Sequence, residues 1–161
     1  MRVPTNLLAT MITSTTYGTW LPGDMRGYVD DGVILPHDPV VLERSQRRMR
    51  DEPVLLTPTQ QDTVFKSLLM AADEFGYTLY AVSIESWHMH VLLTHGFDPV
   101  KQVVGRLKTR MRQAVGRGRI WTEGYDKRYC FTDAAIEARH EYIRRHRGYR
   151  PLPPTPGKAG G

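Results

Sequence analysis

The spacing of hydrophobic positions changes several times along the chain, and each change marks an element. Residues 7 to 16 are dense in apolar and β-branched side chains and predict a strand. A long loop follows, TYGTWLPGDMRGYVDDG, punctuated by Pro22, Gly23, Gly27 and Gly32. Its aromatic residues Tyr17, Trp20 and Tyr28 either pack over a surface or stack on unpaired bases. Residues 43 to 52 are polar in every direction and read as an exposed helix or turn.

A sharper signal starts at Thr57, where Thr57-Pro58-Thr59-Gln60 supplies an N-cap, a first-turn proline and a capping-box glutamine. Val64, Leu68, Ala71, Ala72 and Phe75 recur at helical spacing until Gly76 stops the helix. Thr78–Ile84 then has strand composition, with Tyr80, Val82 and Ile84 expected on one face. His88–Thr94 predicts a second strand, and Glu85, Ser86 and Trp87 form a connection short enough for an antiparallel pair. Residues 99 to 115 predict a helix with the stripe Val100, Val103, Val104, Leu107, Met111 and Val115. After a basic turn at residues 116 to 119, residues 120 to 131 read as short strands or an irregular connection. A last helix begins near Thr132-Asp133 and runs to about Arg147, before Gly148. Helices interleaved with paired strands predict an α+β fold of ferredoxin-like kind, an antiparallel sheet with helices on one face. Residues 1 to 150 form a single domain, and the Pro/Gly-rich residues 151 to 161 read as a disordered tail.

Composition narrows the class. Of 161 residues 40% are hydrophobic and 24% charged, which excludes a disordered chain. No run of 18 apolar residues exists, so no membrane helix is expected. The N-terminus lacks a signal peptide's apolar centre, and the single Cys130 rules out a disulfide framework and a Cys-rich zinc site. A reducing, cytoplasmic setting is the expectation. The net charge of +5 conceals a division: residues 1 to 100 hold 7 Lys and Arg against 12 Asp and Glu, whereas residues 101 to 150 hold 14 against 5. A positive field so concentrated favours polyanions and points to nucleic acid, the alternative being a solvated helical surface.

His88-Met89-His90 adds candidate chemistry. Residues i and i+2 of a strand project from one face, so two imidazoles stand side by side while Met89, Val91 and Leu93 face the core. The pair either shares a metal ion or consists of two ordinary surface or hydrogen-bonded histidines. Tyr142 and His146, four apart, are neighbours on the last helix. Two histidines, a tyrosine beside a further ligand, and a basic segment are the parts needed to break a phosphodiester. A metal stabilises the added charge of an in-line transition state, and a phenol conserves the bond as a reversible phosphotyrosine link.

The motifs TTYGTWLPGDMRG, WHMHVLL and EYIRRH, in this order, resemble those of the HUH single-tyrosine transposases, which include insertion-sequence transposases acting on single-stranded DNA and the REP-associated tyrosine transposases. The resemblance spans about residues 7 to 148. It implies an RNA-recognition-like fold whose C-terminal helix carries the nucleophile, Tyr142, with His88 and His90 as metal ligands. His146 stands where the family usually has an amide ligand, and the usual Asn-Pro continuation is replaced by Arg147 and Gly148. The resemblance further implies metal-dependent cleavage and rejoining of single-stranded DNA, with a 5′-phosphotyrosine intermediate and a free 3′-hydroxyl. Magnesium or manganese is the expected cofactor, with a softer ion if His146 also binds. The expected partner is single-stranded, hairpin-containing DNA, and the family's dimers and monomers leave a homodimer open. Lys101, Arg106, Lys108, Arg110, Arg112, Arg117 and Arg119 are the candidate phosphate contacts. Two alternatives stand beside this reading: a DNA-binding protein of the same fold that has lost catalysis, and a metal-dependent nuclease that uses water.

Overall fold

The computed structural model describes residues 3 to 30 and 33 to 154. In chain order the elements are β1 (Ala9–Thr15), β2 (Tyr28–Asp30), β3 (Val33–Leu35), α1 (Pro39–Arg48), α2 (Pro58–Phe75), β4 (Thr78–Ile84), β5 (His88–Thr94), α3 (Val100–Val115), β6 (Asp126–Cys130), α4 (Asp133–Arg144) and β7 (Tyr149–Arg150). Five strands form one antiparallel sheet in the order β6-β1-β5-β4-β7, and β2 pairs with β3 apart from it. Without β7, the succession β1-α2-β4-β5-α3-β6 and its strand order are those of the split βαβ architecture.

Local chemistry fixes the helix ends. The Thr57 hydroxyl accepts from Gln60 N while the Gln60 side chain accepts from Thr57 N, closing the expected capping box of α2. Gly76 ends α2 with φ at 74°, a backbone conformation that glycine adopts without a Cβ penalty. Helix α1 starts four residues before the polar run expected at 43 to 52, because Asp38 caps it and Pro39 opens it. Helix α4 ends at Arg144, short of the expected Arg147, and a tight turn carries the chain through His146 and Gly148 into β7.

The strand alternation sorts side chains into two cores. Ile12, Val82, Ile84, Met89, Val91 and Leu93 face α2 and α3 and meet their stripes there. On the other face Ala9, Met11, Ala81, Leu92 and Cys130 meet Ile143 of α4, with Ala135 and Ile136 alongside. The expectation of helices on one face therefore holds for α2 and α3, and α4 covers the opposite face. Sequence amphipathicity shows that a helix has an apolar stripe, but not which side of a sheet receives it. Tyr80 also departs from expectation. A bulge between Leu79 and Ala81 leaves it 38% exposed, and Leu79 takes its place toward the core. Residues 151 to 154 hold no regular structure, although Leu152 packs against the larger core. The rest of the expected tail, 155 to 161, lies outside the described residues. No helix among the described residues is long and apolar enough to cross a membrane.

Candidate active site

The two central strands form the floor of the site. Pairing of β1 with β5 sets Thr13 opposite His90 and Thr15 opposite His88, so these four side chains share the face that α4 covers only in part. Thr13 Oγ1 and His90 Nδ1 are hydrogen-bonded at 2.7 Å, which fixes that imidazole. His88 Nε2 donates to Glu85 Oε2 at 2.7 Å, and its buried Nδ1 has no hydrogen-bond partner.

The third imidazole comes from the turn after α4. His146 Nδ1 lies 2.9 Å from the carbonyl oxygen of Tyr142. A carbonyl can only accept, so Nδ1 donates and Nε2 is the nitrogen left for a ligand bond. His88, His90 and His146 each offer a ligand nitrogen, all within 4.8 Å of one another. The ring of Tyr142 is 5.5 Å from that of His90 and 4.8 Å from that of His146. Tyr142 is 45% exposed and opens onto a cleft of about 990 Å³ shared with the three histidines.

Electrostatics keeps His88 and His90 in their ligand form. Burial pushes His90 down to about 3, and the neighbouring rings of His88 and His146 act in the same direction. Burial lowers His88 too, against the opposing pull of Glu85. Three imidazoles in mutual reach and an orphaned buried nitrogen fit a divalent cation: the triad could hold a metal. Glu85 would then be the outer partner that orients His88, a common arrangement around metal-bound histidine.

The expected basic residues are spread differently. Helix α3 lies on the far side of the sheet, so its exposed Lys101 and Arg112 face away from the histidines. Arg106 pairs with Asp98 at 2.8 Å and with the Tyr77 hydroxyl at 3.0 Å, while Arg110 is bidentate to Glu74. Lys108 donates to the carbonyls of Thr122 and Gly124 and so braces the loop that edges the cleft. Arg119 lies over the ring of Tyr17, and Arg117 is exposed in the turn after α3. Two arginines not singled out from the sequence line the cleft itself, Arg139 of α4 and Arg128 of β6, the latter paired with Asp126 at 3.2 Å. A signal was available: Arg128 is two residues from the buried Cys130 and so shares its face.

No family model and no curated protein matches this chain. Among solved structures, a REP-associated tyrosine transposase bound to a REP hairpin superposes with a TM-score of 0.54 at 14% identity, over 84% of this chain. The two chains share a fold. This chain spans 63% of the length of that transposase. A candidate transposase of Deinococcus radiodurans R1 aligns over 86% of this chain and 89% of its own, with 14% identity and a TM-score of 0.47. The first likeness shows a shared architecture and leaves the chemistry to the residues gathered in the cleft.

Proposed function

We propose that this protein is a metal-dependent, single-tyrosine DNA strand transferase of HUH kind that acts on single-stranded DNA carrying a hairpin. The observation that carries this reading is the convergence of Tyr142 with His88, His90 and His146 in one open cleft, all from a single chain. The hairpin substrate is inferred from the fold's likeness to a transposase bound to one.

When bound by the three histidines, a divalent cation supplies Lewis acidity at a phosphate oxygen. Three neutral imidazoles suit manganese, nickel or zinc better than magnesium. Thr13, Glu85 and the Tyr142 carbonyl hold those rings in orientation, so little reorganisation is needed as charge develops. Tyr142 Oη attacks phosphorus and gives up its proton to the water of the cleft. The P–O3′ bond breaks, the 3′ oxygen takes a proton from water, and the 5′ phosphate stays on the tyrosine. Attack by a free 3′-hydroxyl reverses the step and rejoins DNA. Arg128 and Arg139 would hold the strand by its phosphates.

The test is a denaturing gel of the protein with labelled hairpin-bearing single strands and manganese. A protein-linked DNA band lost in Tyr142→Phe is expected. Cleavage without the band would mean a water-using nuclease, and binding without cleavage would mean a binding module that has lost its chemistry.

A further inference from the structure

One wall of the cleft has no part in the strand transfer described above. Trp20, in the loop after β1, is 37% exposed and lines the same cleft as His88, His90 and Tyr142. Its indole N–H donates to the Gly27 carbonyl at 2.8 Å, which sets the plane of the ring. The guanidinium of Arg26 lies 4.1 Å from the centroid of Trp20 and 4.7 Å from that of Trp87. Arg26 is itself immobilised, because Nε and Nη2 donate to the Asp24 carboxylate and Nη2 also donates to Thr19 O. Trp87 in turn lies against His88, with ring centroids 3.8 Å apart.

Neither Trp20 nor Trp87 belongs to either hydrophobic core. An indole held rigid by its polar edge while part of its apolar surface stays in water leaves hydrophobic area unburied. Such a ring is preorganised for a flat partner, since its own ordering is complete before binding. Around the ring the cleft carries Arg139 and Arg128, the latter paired with Asp126, beside Glu85 and Glu123; among the described residues no carboxylate pairs with Arg139, which leaves its charge for a phosphate next to the base.

We propose that Trp20, backed by Arg26 and Trp87, is a stacking site for an unpaired nucleobase adjoining the phosphate at Tyr142. The identity of that phosphate rests on the strand-transferase reading, whereas the stacking site itself does not. Stacking on an indole is indifferent to base identity, so this site holds a nucleotide in place without reading its sequence. It also requires the nucleotide to be unpaired, which restricts the cleft to single strands.

Two probes of equal charge test the site: a short oligothymidylate and an abasic phosphodiester of the same length. Each is titrated in EDTA against the intact protein, with tryptophan emission and anisotropy as readouts. The protein is expected to bind the thymidylate roughly 5- to 100-fold more tightly than the abasic chain, with quenching of its emission. Trp20→Ala should bind both probes alike, and Trp20→Phe should keep part of the preference. Equal binding of the two probes by the unaltered protein, or a preference that survives in Trp20→Ala, overturns the proposal. The comparison of probes on the unaltered protein decides the matter even where Trp20→Ala unfolds. A base preference with no covalent adduct in manganese would overturn strand transfer and leave the stacking site standing. An adduct without a base preference would do the reverse.

Discussion

His146 is oriented by the backbone of Tyr142: its Nδ1 donates to the carbonyl oxygen of the tyrosine at 2.9 Å. The third candidate ligand and the candidate nucleophile are thereby tied together, and the bond also caps a carbonyl at the end of α4 that the helix leaves unsatisfied.

This tie predicts two separable outcomes at one position. His146→Ala should weaken manganese binding by more than the roughly 10- to 100-fold typical of losing an outer partner. His146→Asn should retain a ligand and move preference toward magnesium, since an amide oxygen is harder than an imidazole. Calorimetric titration with manganese, zinc and magnesium checks both.

Acid should destabilise the metal-free protein through His90. Its folded pKa is about 3 against 6.5 for the free side chain, so between those values the unfolded chain takes up a proton that the folded one does not. Stability then falls as pH drops below about 6.5, by at most about 1.4 kcal/mol per pH unit from this one group. Denaturant midpoints measured from pH 8 to pH 4 should show this fall, with a shallower slope in His90→Gln.

The two sets of basic residues predict different salt behaviour. Arg139→Gln should lower the slope of log affinity against log salt for oligothymidylate by about 0.7, and Arg128→Gln by less, since Asp126 already pairs with that arginine. Lys101→Gln and Arg112→Gln, on the α3 side of the sheet, should leave that slope unchanged. Anisotropy titrations over a series of sodium chloride concentrations separate the two.

Gly148 closes the turn that carries His146. A Cβ there would collide with the Ile84 carbonyl oxygen and with the Glu85 side chain. Gly148→Ala should therefore cost roughly 1–3 kcal/mol in chemical denaturation, typical of overpacking. Because Glu85 holds His88 and the turn holds His146, the same change should also weaken manganese binding.

Much of this arrangement is legible along the chain. The capping box at Thr57, the alternation in His88–Thr94 and the stripe of α3 are local patterns, and each forms as its residues dictate. The spacing of Tyr142 and His146 also survives, although a turn rather than a helix carries the histidine. What escapes the sequence is set by partners distant along it. Arg106 and Arg110 look like free positive charges until Asp98 and Glu74 are found beside them. Strand β7 is two residues long, and only its pairing with Val82 and Ser83 makes it a strand. Trp20 gains its setting from Gly27 and Trp87, whose positions depend on a loop with no periodic signal.

The division of the interior into two cores has a dynamic consequence. The histidines of β5 sit mid-sheet over the large α2–α3 core, so their movement requires global opening. Helix α4 is fastened mainly by Ile143 against small and medium side chains such as Ala9, Ala81 and Cys130. Less apolar area holds it down, so its amides should exchange with deuterium sooner than those of α2 or α3. Tyr142, the candidate nucleophile, thus rides on the layer with the less apolar area behind it, and His146, tied to its carbonyl, moves with it while His88 and His90 stay in the sheet.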